Sequence, residues 1–468
     1  MLKIRICILI AIFCTTFYNV FADELGDNSA KIQIKVGGEI DAQMAKNNSY
    51  GSYQNPILPD NSLNLGGNDI SGRVKALANL EVAVKTKNFR YGGLVGLQTG
   101  KIEDDYGNYA RETYIFIENP YGKIEMGSAY SSAARMRIDA TNLARATGGI
   151  QGDWFRYISM PVYHSSDQSL VMGAAPVFIL QPMLPNEAGF TTGASNGNNI
   201  YNDTTHTYLS PNTVQPRLGW GSLSNKISYY SKRIAGVQLG ISYSPNTGLT
   251  GVLVDQQSGY AKDYLGQYYH MNSTGVVGNV NNLITFGANY IKQFGDFGLA
   301  ASFTYEHGDY QGAAYSRGGF NYSGIPDRNA LNAFMLGIKG VYGPISLAYS
   351  YGNWLNSLMS NSFAYYNANG TETVKQAFFH TAGLGLSFGP INFSTTYMYS
   401  NYQGNTVQLV SVGSDIKLGG LAGRGLVPYI EMTYYDLTPA FGKTTTGVLA
   451  QAEELKGFVI IGGLKLIF

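Results

Sequence analysis

Across 468 residues, 13% are charged, 13% are aromatic, glycine takes 58 positions, and 32 basic residues stand against 31 acidic ones. Soluble domains carry about 25% charged residues, so this is no ordinary soluble surface, and 36 Tyr with 22 Phe supply far more apolar surface than a chain that stays unfolded. A near-neutral balance also argues against nucleic acid as the partner.

The N-terminus comes first in chain order. Met1 to Arg5 is basic, Ile6 to Phe17 is apolar, and Val20-Phe21-Ala22 ends in a small-residue cleavage site. That order reads as a secretory signal peptide over residues 1–22, leaving Asp23 first in the mature chain. Cys7 and Cys14 both lie inside this leader, and Ala11-Ile12-Phe13 lacks the small residues a lipoprotein anchor at Cys14 would want. Loss of Lys3 and Arg5 with the leader leaves 30 basic residues against 31 acidic ones. Beyond it the longest apolar runs, Val177 to Leu180 and Phe458 to Ile461, fall far short of the ~20 residues of a spanning helix.

What remains is period-two alternation, the mark of strands with two differently solvated faces. Ile32, Ile34, Val36, Ile40, Ala42 and Met44 oppose Lys31, Gln33, Lys35, Glu39, Asp41 and Gln43. A second strand over 73–85 turns at Thr86-Lys87-Asn88 into a third beginning at Phe89. Arg111 to Glu118 and Lys123 to Ser128 form a hairpin around Asn119-Pro120-Tyr121-Gly122, whose Pro and Gly suit a turn. No comparable hairpin follows until Leu223, and a loop of that length, 129–222, is either functional or disordered. The strands then resume at 223–231, 234–244, 283–293, 297–306, 332–341, 345–352, 377–388, 391–402, 406–418, 426–437 and 455–468, sixteen in all.

Short connections alternate with mostly longer ones along this list. Short turns at one end, long loops at the other and an even strand number are the signature of an outer-membrane barrel. Closure is required because every backbone N–H and C=O must find a partner when hydrocarbon surrounds the sheet. Residues 23–468 therefore read as an all-β, sixteen-stranded antiparallel transmembrane β-barrel, with the long third extracellular loop folded into the lumen. Eight strands would fill their own interior, whereas sixteen leave an aqueous channel. In the last strand Phe458, Ile460, Leu464, Leu466 and Phe468 form the lipid parity and Lys465 marks the inner one, but Val459 and Ile461 leave that inner face less polar than elsewhere.

Four pieces in this order and spacing carry a family resemblance: Ser71-Gly72-Arg73, Arg111 to Ile117 with Tyr121 to Gly127, Asn225 to Ser231 with Ala235 to Tyr243, and the closing Gly463 to Phe468. The chain resembles the general diffusion porins of Gram-negative outer membranes, trimeric sixteen-stranded barrels with the third loop in the pore. The resemblance implies a homotrimer among outer-membrane lipid and lipopolysaccharide, passing small polar solutes and ions. It also implies a constriction where basic wall residues face acids on the loop. Arg73 and Arg111 match the family's wall arginines, and Gly148 to Asp153 resembles its acidic loop tip. Where a third wall arginine is expected this chain has Ser224, with Lys226 two residues on at the same parity.

Pleating alone also places Arg73, Lys75, Arg90 and Arg111 on a polar stripe of adjacent strands. With Asp139, Asp153 and Lys226 these make the candidate constriction. Between 129 and 160, Arg135, Arg137, Arg145 and Arg156 outnumber Asp139 and Asp153, which predicts a weak anion preference. The five histidines lack metal-ligand spacing, no mature cysteine joins them, and the Gly-rich pieces follow no nucleotide-binding pattern. No enzyme, metal or cofactor is expected. The alternative to a diffusion channel is a substrate-specific channel, or a barrel acting as an adhesin through its loops.

Overall fold

The computed structural model describes residues 30–468 apart from 51–52, 55–61, 64–69, 100–109, 146, 159–162, 165–177, 188–199, 204–205, 210–222, 248–259, 263–267, 271–278, 312–314, 318–319, 323–328, 358, 360–365, 368, 420–424, 444–448 and 453. The leader, 1–22, lies outside these residues, as does much of 159–222. The barrel strands are β1 (Lys31–Tyr50), β2 (Ile70–Lys85), β3 (Arg90–Thr99), β4 (Ala110–Asn119), β5 (Gly122–Ser128), β6 (Asn225–Ser231), β7 (Val237–Asn246) and β8 (Asn279–Phe294). They continue with β9 (Phe297–Gln311), β10 (Leu331–Tyr342), β11 (Ile345–Leu355), β12 (Ala377–Phe388), β13 (Ile391–Tyr402), β14 (Asn405–Ile416), β15 (Gly425–Thr438) and β16 (Leu455–Ile467).

Each strand pairs antiparallel with its neighbours in sequence, and β1 pairs with β16, so the sheet is a closed barrel of sixteen strands. The seam is fastened at the terminal residue: Gly38 N–H donates to the Phe468 carbonyl at 2.9 Å and Phe468 N–H to that of Gly38 at 3.1 Å. Three of the tight turns carry glycine at the first central position, Gly295, Gly343 and Gly389, with φ of 57°, 54° and 58°. That is the dihedral a type II′ hairpin needs there and one that a side chain disfavours.

The two parities meet different surroundings. On β1 Ile32 and Met44 are 73% and 64% exposed on the outside, while Asp41 and Gln43 are 1% and 4% exposed on the inside. The same division runs through β7, where Leu239, Ile241 and Tyr243 point out and Ser242 and Ser244 in. Several strands run past the sequence expectation: β1 reaches Tyr50 rather than Met44, and β8 begins at Asn279 rather than Leu283. The loops also hold short hairpins that alternation did not reveal, including Ile200–Asp203 with His206–Leu209 inside the long segment.

Candidate pore constriction

Leaving β5 at Ala129, the chain forms a short helix α1 (Ser132–Met136), capped by the Ser131 hydroxyl, which accepts from Ala134 N–H at 3.1 Å. Single 3-10 turns follow at Thr141–Leu143, Gly149–Gln151 and Asp153–Tyr157. Successive loop groups meet inward-parity wall residues on successive strands. Ser132 N–H donates to Ser242 Oγ of β7 at 2.8 Å, and Ile138 N–H to Ser302 Oγ of β9 at 2.9 Å. Asn392 of β13 donates to the Leu143 carbonyl at 3.3 Å, and Gly149 N–H reaches Glu431 Oε2 of β15 at 3.2 Å. Gly148 and Gly149, at φ of 105° and 61°, make the sharp bend that aims this last amide at the wall.

Beyond the bend Trp154 is fully buried, stacked on Tyr435 of β15 with ring centroids 5.8 Å apart. Trp154, Phe155 and Ile158 share one apolar cluster with Val459 and Ile461 of β16. This accounts for the inner face of the last strand, which periodicity left unassigned: it is apolar because loop side chains, not water, cover it. A return stretch at 178–187 lies against the same side. Ser400 Oγ donates to the Ile179 carbonyl at 2.7 Å, Trp354 Nε1 to that of Met183 at 2.9 Å, and Asn186 N–H to Glu306 Oε1 at 2.8 Å.

At the end of this path Asp153 meets β1 and β2. Its carboxylate lies 3.3 Å from Arg73 Nη1 and 3.5 Å from Lys75 Nζ, and accepts from Gln43 Nε2 at 3.1 Å. Lys75 is shared with Asp41 at 3.6 Å and Glu39 at 3.9 Å, and the Tyr429 hydroxyl donates to Asp41 Oδ1 at 2.7 Å. Three expected residues, Arg73, Lys75 and Asp153, are thus brought together.

Arg90, Asp139 and Lys226 are not part of that group. Arg90 sits near the short-turn end, bonded to Glu81 and, at 3.1 Å, to Glu118, with its guanidinium 4.8 Å from the Phe116 ring centre. Asp139 is buried inside the loop, 2.7 Å from Arg137 Nε and accepting from the Thr141 amide at 2.9 Å, so it braces the loop rather than facing Arg73. Lys226 does point inward, but at 4% exposure its ammonium donates to the carbonyls of Ala129 and, at 2.7 Å, Ser224. Those carbonyls are the two feet of the long loop, so Lys226 clasps its base. Arg111 lies on β4, and its side chain is outside those described.

The loop arginines also find partners that spacing along the sequence does not reveal. Arg135 is 2.8 Å from both Glu112 and Glu125, Arg137 is 2.9 Å from Glu187, and Arg145 is 3.6 Å from Asp415; the Arg156 side chain lies outside those described. Burial works against the Arg137 charge, but Asp139 and Glu187 outweigh it and hold the guanidinium protonated beyond its usual range. Burial in turn pushes the Glu187 carboxyl above the usual glutamate value, against the pull of Arg137. The excess of basic residues counted in the loop is therefore largely neutralised where it stands.

The chain has relatives along most of its length. It is 26% identical over 381 residues, 76% of each chain, to an uncharacterized protein of Rickettsia bellii, and 24% identical over 444 residues, 90% of each, to one of Rickettsia conorii. Among solved structures it is similar to the anion-selective porin from Comamonas acidovorans, at 11% identity over 94% of this chain and 100% of that one, with a TM-score of 0.45. A mutant of the Rhodopseudomonas blastica porin gives 11% identity over 93% and 100%, with a TM-score of 0.44. The sequence profile of the family described as Gram-negative porin matches residues 22–436. A profile match over most of a chain that closes into sixteen antiparallel strands makes this protein an outer-membrane channel, and it belongs to the Gram-negative porin family.

Proposed function

We propose that the chain forms a water-filled pore for passive diffusion of small hydrophilic solutes and ions, with the described parts of the long loop, up to 158 and over 178–187, lying along the inner wall and narrowing the bore. The observation that carries this reading is the contact of Asp153 with Arg73 and Lys75. It joins a loop tip leaning on β15 to the inner face of β2, so the narrowest passage is bordered by both signs of charge. Arg73, Lys75 and Lys465 stand there against Glu39, Asp41, Asp153 and Glu431. A balance so close to even favours weak selectivity over the anion preference that counting loop arginines predicts.

In the cell this reading entails cleavage of residues 1–22 during export and assembly as a homotrimer among lipid and lipopolysaccharide. Single-channel recording of the purified protein tests it. The expected result is ohmic open steps with a small reversal potential in a salt gradient. Conductance should rise in Arg73→Ala combined with Asp153→Ala. A barrel that never conducts, or one blocked by a single sugar or peptide, would instead favour the adhesin or substrate-specific reading.

A further inference from the structure

The wall beneath the loop carries glycine at mid-strand, inward-facing positions: Gly240 on β7, Gly287 on β8, Gly337 on β10, and Gly383 and Gly385 on β12. Glycine weakens a strand interior and is kept where another backbone must come close. Here the visitor is present. A Cβ on Gly337 would fall on the Ile138 carbonyl oxygen, and one on Gly287 would lie 2.7 Å from the Ser132 carbonyl oxygen. Gly240 and Gly287 are direct cross-strand partners, and a Cβ on Gly240 would lie 2.5 Å from Met136 Sδ. Gly337 faces Ser302 in register, the residue whose hydroxyl accepts from Ile138 N–H. Each close approach is thus coupled to a wall hydroxyl that holds the loop backbone, Ser242 at the Ser132 N–H and Ser302 at the Ile138 N–H.

We propose that Gly287 and Gly337 are positioning residues for the constriction, whose missing side chains set how deeply the loop seats in the wall and hence how much of the bore stays open. The inference rests on the diffusion-channel reading. A methyl at Gly337 meets backbone, which cannot swing aside as a side-chain end can, so the loop must move toward the bore axis. At Gly240 the obstacle is the flexible end of Met136. At Gly385 an added Cβ would lie 3.5 Å from Leu143 Cδ2, an ordinary contact.

The test is single-channel conductance, with the reversal potential and the heat stability of the folded barrel measured on the same preparations. Gly337→Ala and Gly287→Ala should give smaller steps and a shifted reversal potential, because Asp153 is carried away from Arg73 and Lys75. Gly385→Ala should match the unsubstituted protein. Gly240→Ala should give reduced conductance that Met136→Ala restores in the double variant, a rescue that simple loss of strand stability would not produce. If Gly337→Ala does not fold, Gly287→Ala and the rescue pair decide. Unchanged or larger steps in the folding variants overturn the inference. No open steps from the unsubstituted protein would defeat the channel reading instead, so the two failures are distinguishable.

Discussion

The inner wall has two halves built on different principles. From β2 to β6 it is a mesh of charge and aromatic rings. Lys123 Nζ stands 4.6 Å from the Phe116 ring centre and 2.7 Å from Glu125, and Arg135 lies 5.1 Å from the Tyr114 ring centre between Glu112 and Glu125. From β7 to β16 the wall under the loop is glycine, hydroxyl and hydrocarbon. Charges there are exceptions that find partners: Glu306 and Glu431 each accept a loop backbone N–H, Asp415 lies 3.6 Å from Arg145 of the loop, and Lys465 lies 3.7 Å from Glu39. The difference follows from how each half meets the loop: from β2 to β6 by paired charged side chains, and from β7 to β16 mainly by backbone and apolar contacts. A charge under protein must be paired or it costs several kcal/mol. On the charged half the buried groups are paired, Glu125 by Lys123 and Arg135 and Lys226 by the Ala129 and Ser224 carbonyls, while the rings add cation–π contacts to Lys123 and Arg135. How the loop is held is thus written into the wall as well as into the loop.

The sharpest way to break this contrast is to unpair a buried charge inside the loop itself. Arg137→Ala would leave Asp139 and Glu187 buried without their guanidinium, and removing one partner of a buried pair costs about 3–5 kcal/mol. The two legs of the loop should separate, and current recordings should change from steady steps to large fluctuations; a quiet channel would show that the legs hold without this tie. A smaller effect is expected on the charged side. Glu125→Gln removes the carboxylate that Lys123 and Arg135 share, weakening two hydrogen bonds of roughly 1.5–3 kcal/mol each. Because these cations border water, the main result should be a reversal potential moved toward anions, with the barrel still folded. A shift toward cations would contradict the reading that Lys123 and Arg135 border the bore.

Much of this was legible before any coordinates. Period-two alternation and the alternating connection lengths place all sixteen strands, since both follow from local backbone geometry and the solvents on either side. The site was legible only in part. Asp139 and Asp153 are chemically alike, and the path of the loop alone puts one beside Arg137 and the other beside Arg73. The pairing of Arg135 with Glu112 and Glu125 joins the loop to two wall strands, and nothing periodic announces it. Two further signals stand in the sequence, the first of them visible there without its cause. Val459 and Ile461 made the inner face of β16 too apolar for water, and Gly240, Gly287 and Gly337 occupy inward parity at mid-strand, where a solvated wall has no use for glycine.

The finest expected effect concerns pH at the Glu187 contact. Its carboxyl is raised first by burial, against Arg137 and the Ser131 hydroxyl, while Asp139 raises it further and Lys226 lowers it. The wall contributes one more acid, Glu306, bonded to the neighbouring Asn186 amide. An acid whose value is raised in the docked loop binds its proton more tightly there than in a loop that has come away. Docking is therefore strongest below the ordinary glutamate value and weakens as pH climbs through the raised one. Brief closures or flickers in the current should become more frequent over that rise, by a modest factor because Arg137 still offsets part of the charge. Glu187→Gln should flatten the dependence, since its amide mimics the neutral form at every pH. Flicker that grows on acidification, or that ignores pH in the unsubstituted protein while Gln changes nothing, would mean that the return stretch is held by Ser400 and Trp354 alone.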